Sequence, residues 1–159
     1  MRNNETPKLY VVVPCYNEEA VLPETSSRLK DKMEELISNG SISSDSHVLF
    51  VNDGSSDKTW PMIEELNGKD KLFEGVKLSK NFGHQGALLA GLSVAKERCD
   101  ISISMDADLQ DDINAIDEMV IKYKEGAEVV YGVRSSRKKD TFLKKFTAEG
   151  FYNLMKKMG

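Results

Sequence analysis

No apolar run in this 159-residue chain approaches the ~20 residues that cross a bilayer, and no signal peptide precedes the first strand-like segment, so the chain as given reads as soluble. Cysteine is scarce. Cys15 and Cys99 are the only two, with no Cys-x-x-Cys pairing, which excludes a disulfide framework and points to a reducing cytoplasm. The phosphate-cradling glycine loops are missing too, because neither GxxxxGK[ST] nor GxGxxG occurs. A positive excess is also lacking: the net charge of −4 argues against general nucleic-acid binding. With no internal repeat and no low-complexity stretch, the length fits one domain built as a sheet covered by helices.

The charge that is present is unevenly spread. From Arg134 to Gly159 there are eight Lys or Arg against two acids, Asp140 and Glu149, a local excess of +6 that leaves −10 on residues 1–133. The chain therefore divides into an acidic core, 1–133, and a basic segment, 134–159. In that segment Phe142, Phe146, Phe151, Leu154, Met155 and Met158 form an apolar pattern flanked by Lys138, Lys139, Lys144, Lys145, Lys156 and Lys157. A basic amphipathic helix of this kind suits an anionic membrane surface. The same stripe equally suits packing on the domain or on a second subunit, so a homo-oligomer stays open.

Within the core, short β-branched runs alternate with helical patterns. Leu9 to Val13, Val48 to Asn52, Gly75 to Leu78, Ile101 to Met105 and Val129 to Tyr131 read as strands, continuously apolar as strands buried on both faces must be. A helix is expected from about Glu18 to Ser38, with Leu22, Leu29, Met33, Leu36 and Ile37 on one side and Gly40 ending it. Alternation of this type predicts an α/β fold with a mainly parallel sheet flanked by helices.

Ligands of such sheets bind beyond the carboxyl ends of the strands, and those positions are polar here. They read Pro14-Cys15-Tyr16-Asn17-Glu18, Asp53-Gly54-Ser55-Ser56-Asp57, Ser79-Lys80-Asn81-Phe82-Gly83-His84 and Asp106-Ala107-Asp108-Leu109-Gln110. The last is the most informative. Asp106 and Asp108 at a strand end can point the same way, Gln110 adds a neutral oxygen, and hard oxygen donors select Mg2+ or Mn2+ with positions left for phosphate oxygens. A solvated acidic turn has the same spacing, but the other three loops supply an aromatic ring for a base, carboxylates for base N–H or ribose hydroxyls, and a lysine for phosphate. Together they outline a nucleotide-diphosphate site.

The chain resembles the inverting GT-A glycosyltransferases of family two, and within them the polyprenyl-phosphate sugar transferases, the group of dolichol-phosphate mannose synthases and undecaprenyl-phosphate glycosyltransferases. The resemblance rests on Val-Val-Val-Pro-Cys-Tyr-Asn-Glu-Glu, Val-Asn-Asp-Gly-Ser-Ser-Asp, Asn-Phe-Gly-His-Gln-Gly-Ala-Leu-Leu-Ala-Gly-Leu, Met-Asp-Ala-Asp-Leu-Gln-Asp and Gly-Val-Arg-Ser-Ser-Arg, in that order. It implies a GT-A fold, with Pro14, Tyr16, Glu18, Val51 and Asp53 lining the nucleoside. Lys80 and Ala107 join the donor-binding set, and Asp106, Asp108 and Gln110 hold the metal. Arg134 would face the diphosphate or the acceptor phosphate, and with Asp106 and Asp108 makes up the catalytic set. The implied reaction is metal-dependent transfer, with inversion, of a sugar from a UDP- or GDP-sugar to a polyprenyl phosphate at the inner face of the cell membrane. Family members continue well past a position like Gly159, so residues 1–159 read as the nucleotide-sugar-binding core of a longer enzyme, slow or inactive alone. They also carry prolines where this chain has Asp112-Ile113, and either residue type starts a helix.

Other residues read as structural. Cys15 suits a small buried hydrophobe, Gly86, Ala87, Ala90 and Gly91 suit close helix-on-sheet packing, and Asp57 suits a helix cap ahead of Thr59. His84 opens a helix after Gly83, as a polar terminus or a phosphate contact. Two alternatives remain at this point: a soluble glycosyltransferase extending a cell-surface glycan, and a non-catalytic nucleotide-sugar-binding domain.

Overall fold

A computed structural model describes residues 6–108 and 110–132. Four strands, β1 (Leu9–Cys15), β2 (His47–Asn52), β3 (Phe73–Lys77) and β4 (Ile101–Ser104), form one parallel sheet in the order β3-β2-β1-β4. Parallel neighbours need crossovers, supplied by α1 (Leu22–Ser38), α2 (Thr59–Lys69) and α3 (His84–Ala95), and α4 (Ala115–Lys124) follows β4. The strand order runs outward from β1 through β2 to β3 and then returns to β1's other side for β4. The crevice where the order reverses, at the carboxyl ends of β1 and β4, is where open α/β sheets bind ligands.

The pleat sends alternate residues of the two central strands to opposite faces. Leu9, Val11 and Val13 of β1, with Val48 and Phe50 of β2, meet Leu22, Leu29, Met33 and Leu36 of α1, Ile63 of α2, and Ile116 and Val120 of α4. Tyr10, Val12, Leu49 and Val51 meet Ala87 and Ala95 of α3 on the other face. Each fully buried Leu or Val contributes about 1.5–3 kcal/mol relative to exposure, so this double-sided core dominates the stability. At Gly91 a Cβ would lie 2.4 Å from Val12 Cγ1 and 2.7 Å from Val51 Cγ2, so Gly91, with buried Ala87, does set a close approach of α3 to the sheet, whereas at Gly86 a Cβ would meet Phe82 Cβ at 2.9 Å and not the sheet. On the other face, buried Lys32 donates to Glu35 at 2.6 Å and to Asp117 at 3.0 Å, tying α1 to α4.

The structure corrects three sequence expectations. The strand anticipated at Val129 to Tyr131 is absent among the described residues, where Val129 and Tyr131 are 67% and 83% exposed. β-branched composition does not form a strand without a ladder partner; Val130, Tyr131 and Gly132 instead line a groove beside β4 and α4. The outer strands are not buried on both faces either. As edges of the described sheet, β3 and β4 each have one buried residue, Phe73 and Ile103, among half-buried and exposed ones. The first helix begins at Leu22 rather than near Glu18; ahead of it the Glu18 and Glu19 N–H groups bond to side chains of another loop, described below. The helix after Asp111 forms without proline, but its N-cap is Asn114, which makes no side-chain cap bond; the Asp112 carboxylate accepts the Asn114 N–H at 3.0 Å just ahead of α4.

Candidate active site

Past the end of β4 the strand-like alternation continues. Ile103, Met105 and Ala107 are buried, while Ser104, Asp106 and Asp108 are exposed, so both carboxylates leave the same side of the chain and the residue between them serves as an anchor. Local bonds shape the turn: Asp111 Oδ2 accepts the Asp106 N–H at 3.3 Å, and Asp108 Oδ1 accepts the Gln110 N–H at 3.1 Å.

The loop after β1 and the loop after β2 are latched to each other. Asn17, in the left-handed region at φ 56°, accepts the Ser56 N–H on Oδ1 at 2.9 Å and donates its own N–H to Ser55 Oγ at 3.0 Å. The Glu18 N–H goes to Thr59 Oγ1 at 2.8 Å, the Glu19 N–H to Asp57 Oδ2 at 3.1 Å, and Glu19 Oε2 accepts the Lys58 N–H at 2.9 Å. Asp57 does cap as expected, taking the Thr59 N–H on Oδ1, and it also bridges the two loops. The third loop joins through Asp53, whose Oδ1 accepts the Phe82 N–H at 2.7 Å. Gly54, at φ 68°, lies so close to the backbone of Lys80 and Asn81 that a Cβ there would sit 2.6 Å from both Lys80 C and Asn81 N.

This floor brings carboxylates together. Burial and the neighbouring charges of Asp108, Asp57 and Asp106 push the Glu18 pKa up, which places all four acids in one negative patch. His84, the first residue of α3, sits at the rim with Nε2 3.6 Å from Asp106 Oδ1. Tyr16 is half exposed, and Lys80 is exposed with Nζ 5.2 Å from the centre of the Phe82 ring. Pro14, Val51 and Asp53 are buried, Val51 in the α3 core and Asp53 with one oxygen committed to Phe82. Ala107 turns its methyl into the core. Arg134 and the basic segment 134–159 lie outside the described residues. Cys15 is the buried hydrophobe expected: desolvation first, then Glu18, push its thiol up to about 12, so no thiolate is available as a nucleophile.

Asp106, Asp108 and Gln110 are adjacent, although among the described residues no three His, Cys, Asp or Glu side chains are drawn into metal-ligating geometry. Their donor chemistry, two exposed carboxylates and an amide oxygen beside Glu18, is of the kind a hard divalent cation takes.

The sequence of residues 10–158 matches the model of glycosyl transferase family 2. The chain belongs to that family. An uncharacterized glycosyltransferase of Bacillus subtilis, YkoT, is 55% identical to this family 2 chain over 153 residues, 96% of this chain and 45% of the relative. The prophage bactoprenol glucosyl transferase homolog of Escherichia coli is 38% identical over 151 residues, 95% and 47% of the two chains. The family 2 chain thus spans a little under half the length of either relative. Among solved structures, mannosyltransferase PcManGT from Pyrobaculum calidifontis, in complex with GDP-Man and Mn2+, aligns with TM-score 0.52 at 24% identity, over 65% of this chain and 28% of that one. The parallel sheet flanked by helices is the GT-A fold.

Two features of this family 2 domain escape a sequence reading. Thr25, on the buried side of α1, donates its hydroxyl to the Ala107 carbonyl at 2.6 Å, and no local pattern marks it for that. The latch of the first two loops rests on residue pairs 38 to 41 positions apart. The patch also has a measurable cost. A raised Glu18 pKa means the folded state retains a proton that the unfolded chain has lost, so stability falls as pH rises from the ordinary Glu value of about 4.3 through the raised folded value. Glu18→Gln is therefore expected to melt about 1–3 °C above wild type at pH 7 without metal, the difference closing below about pH 4 in scanning calorimetry. Equal melting at pH 7 would show that burial and the neighbouring carboxylates together do not destabilise the charged Glu18.

Proposed function

We propose that this domain binds a nucleotide-diphosphate sugar, UDP- or GDP-linked, with Mg2+ or Mn2+ held by Asp106, Asp108 and Gln110. The sugar passes with inversion to a polyprenyl phosphate at a membrane surface. The observation that carries this reading is the alternation through Met105, Asp106, Ala107 and Asp108, which presents both carboxylates at the switch-point crevice beside Glu18. A patch of that charge repels a diphosphate unless a cation lies between them. The bound ion would stabilise negative charge as it develops on the leaving diphosphate.

The chain's own groups supply the rest. The exposed Tyr16 ring offers a face for the base, Lys80 offers a cation to phosphate, and the buried Asp53, with one oxygen held by the Phe82 N–H, is assigned to a base N–H by its motif. A phosphate acceptor suits a site with no assigned general base, because its second pKa of about 6 leaves it largely a dianion at neutral pH and already nucleophilic. The bactoprenol-named relative supports that acceptor class, and the GDP-Man and Mn2+ of the mannosyltransferase support the donor class and the metal. Arg134, by its motif, is assigned to the diphosphate or the acceptor phosphate, and the basic segment after it to an anionic membrane surface.

The test is a turnover panel. The intact gene product is incubated with polyprenyl phosphate and each of several UDP- and GDP-sugars, with Mn2+ or with chelator. Sugar-phosphate-lipid product from one donor, and only with metal, is expected. Equal product in chelator would overturn the metal assignment, and transfer only to glycan hydroxyls would overturn the acceptor.

A further inference from the structure

Two acidic side chains bind one cation well only if the peptide between them is held, because each carboxylate's position follows from the rotation of that peptide. Here the held peptide is Ala107. Its methyl is 3% exposed, packed in the core on the α1 and α4 side of the sheet. Its carbonyl accepts a 2.6 Å hydrogen bond from Thr25 Oγ1, and Thr25 is itself 1% exposed. The hydroxyl also lies 3.0 Å from Val21 O, one turn back at the N-cap of α1, but that carbonyl already receives the Thr25 N–H. A hydroxyl has one proton, and the shorter contact takes it. Removing the hydroxyl would strand the Ala107 carbonyl away from water, and a stranded buried acceptor turns to find a new partner.

We propose that Thr25 is a positioning residue for the Asp106 and Asp108 pair: from α1, behind the sheet, it fixes the peptide that sets the spacing and direction of the two carboxylates. The proposal rests on the metal reading given above. The buried tie itself does not depend on any ligand. Thr25 touches neither substrate nor metal and acts only through Ala107.

The experiment compares wild type, Thr25→Val, which keeps the shape and loses the hydroxyl, and Thr25→Ser, which keeps the hydroxyl. Thr25→Ala runs in parallel should the valine variant fail to fold. Amide hydrogen exchange over residues 105–108 is read first, without metal. Exchange about tenfold faster in Thr25→Val than in wild type, with the β1 and β2 amides unchanged and Thr25→Ser close to wild type, is expected. Mn2+-dependent UDP affinity is read second, by calorimetry. A drop of about tenfold in Thr25→Val, recovery to within about twofold in Thr25→Ser, and unchanged metal-free affinity are expected. Unchanged exchange, or faster exchange with unaltered Mn2+ dependence, overturns the positioning role. So does a serine variant as weak as the valine one, which would make the effect one of packing. If wild type itself shows no Mn2+-dependent binding while exchange still responds to the hydroxyl, the metal reading fails and takes the positioning role with it, leaving only a structural tie.

Discussion

Asp108→Asn is expected to weaken Mn2+-dependent UDP binding by on the order of 100-fold while leaving the fold intact. The substitution is nearly isosteric. Asparagine keeps an oxygen to accept the Gln110 N–H now held by Asp108 Oδ1, so the turn after Ala107 survives. What disappears is one of the two formal charges proposed to face the cation. The loss should be far smaller without metal, since the contacts proposed for the base, at Tyr16 and Asp53, do not run through the cation. Calorimetric titration with Mn2+ and with chelator measures both. A variant that binds equally well with Mn2+ would dismiss Asp108 as a ligand.

Gly54→Ala is expected to be the most damaging single-methyl change at the site. Two separate penalties meet there. At φ 68° an alanine is strained by roughly 1–2 kcal/mol, and its Cβ would lie 2.6 Å from Lys80 C and Asn81 N, which are backbone atoms with no rotamer to escape through. Displacing that backbone adds an overpacking cost of about 1–3 kcal/mol. Together these lower the melting temperature by about 5–15 °C. The movement also carries Lys80 and the Phe82 N–H away from Asp53, so nucleotide affinity should fall with stability. Gly68→Ala is the control. It lies inside α2 with nothing within 4 Å of the added Cβ and should be neutral or slightly stabilising. If the two variants melt alike, the close approach of the loops is not what Gly54 is there for.

The two central strands were legible in the sequence because strands buried on both faces are continuous β-branched runs, although β1 runs on through Pro14 and Cys15 and β3 starts two residues earlier than read, at Phe73; period-two geometry alone predicts that Asp106 and Asp108 share a side. The α3 packing was equally open to reading, since only small residues at Ala87 and Gly91 allow a helix so near a sheet. Side-chain direction at the strand ends was not. Val51 and Asp53 follow one another through β2 and its end, yet both are buried, because α3 covers one and the third loop closes over the other. Val129 to Tyr131 misled for a different reason: β-branched composition states a preference, and the ladder that would realise it depends on a partner that composition does not name. Thr25 looked like any threonine on a helix, since nothing near it in the chain announces a carbonyl 82 residues away.

The latch between the first two strand-end loops bears on how this fold can change its substrate. In this floor the amides of Asn17, Glu18, Glu19, Ser56, Lys58 and Phe82 are already committed to other side chains, and their conformational entropy was surrendered when the chain folded. On the reading proposed above, a sugar nucleotide would therefore meet a surface that need not be ordered again, which favours affinity, but one in which these six amides are not free to bind it. Divergence toward another nucleotide or sugar must then proceed through the projecting side chains, such as Tyr16 and Lys80. A mutation that reshaped the floor would have to replace several mutually dependent bonds at once, so drift in specificity is channelled to the rim.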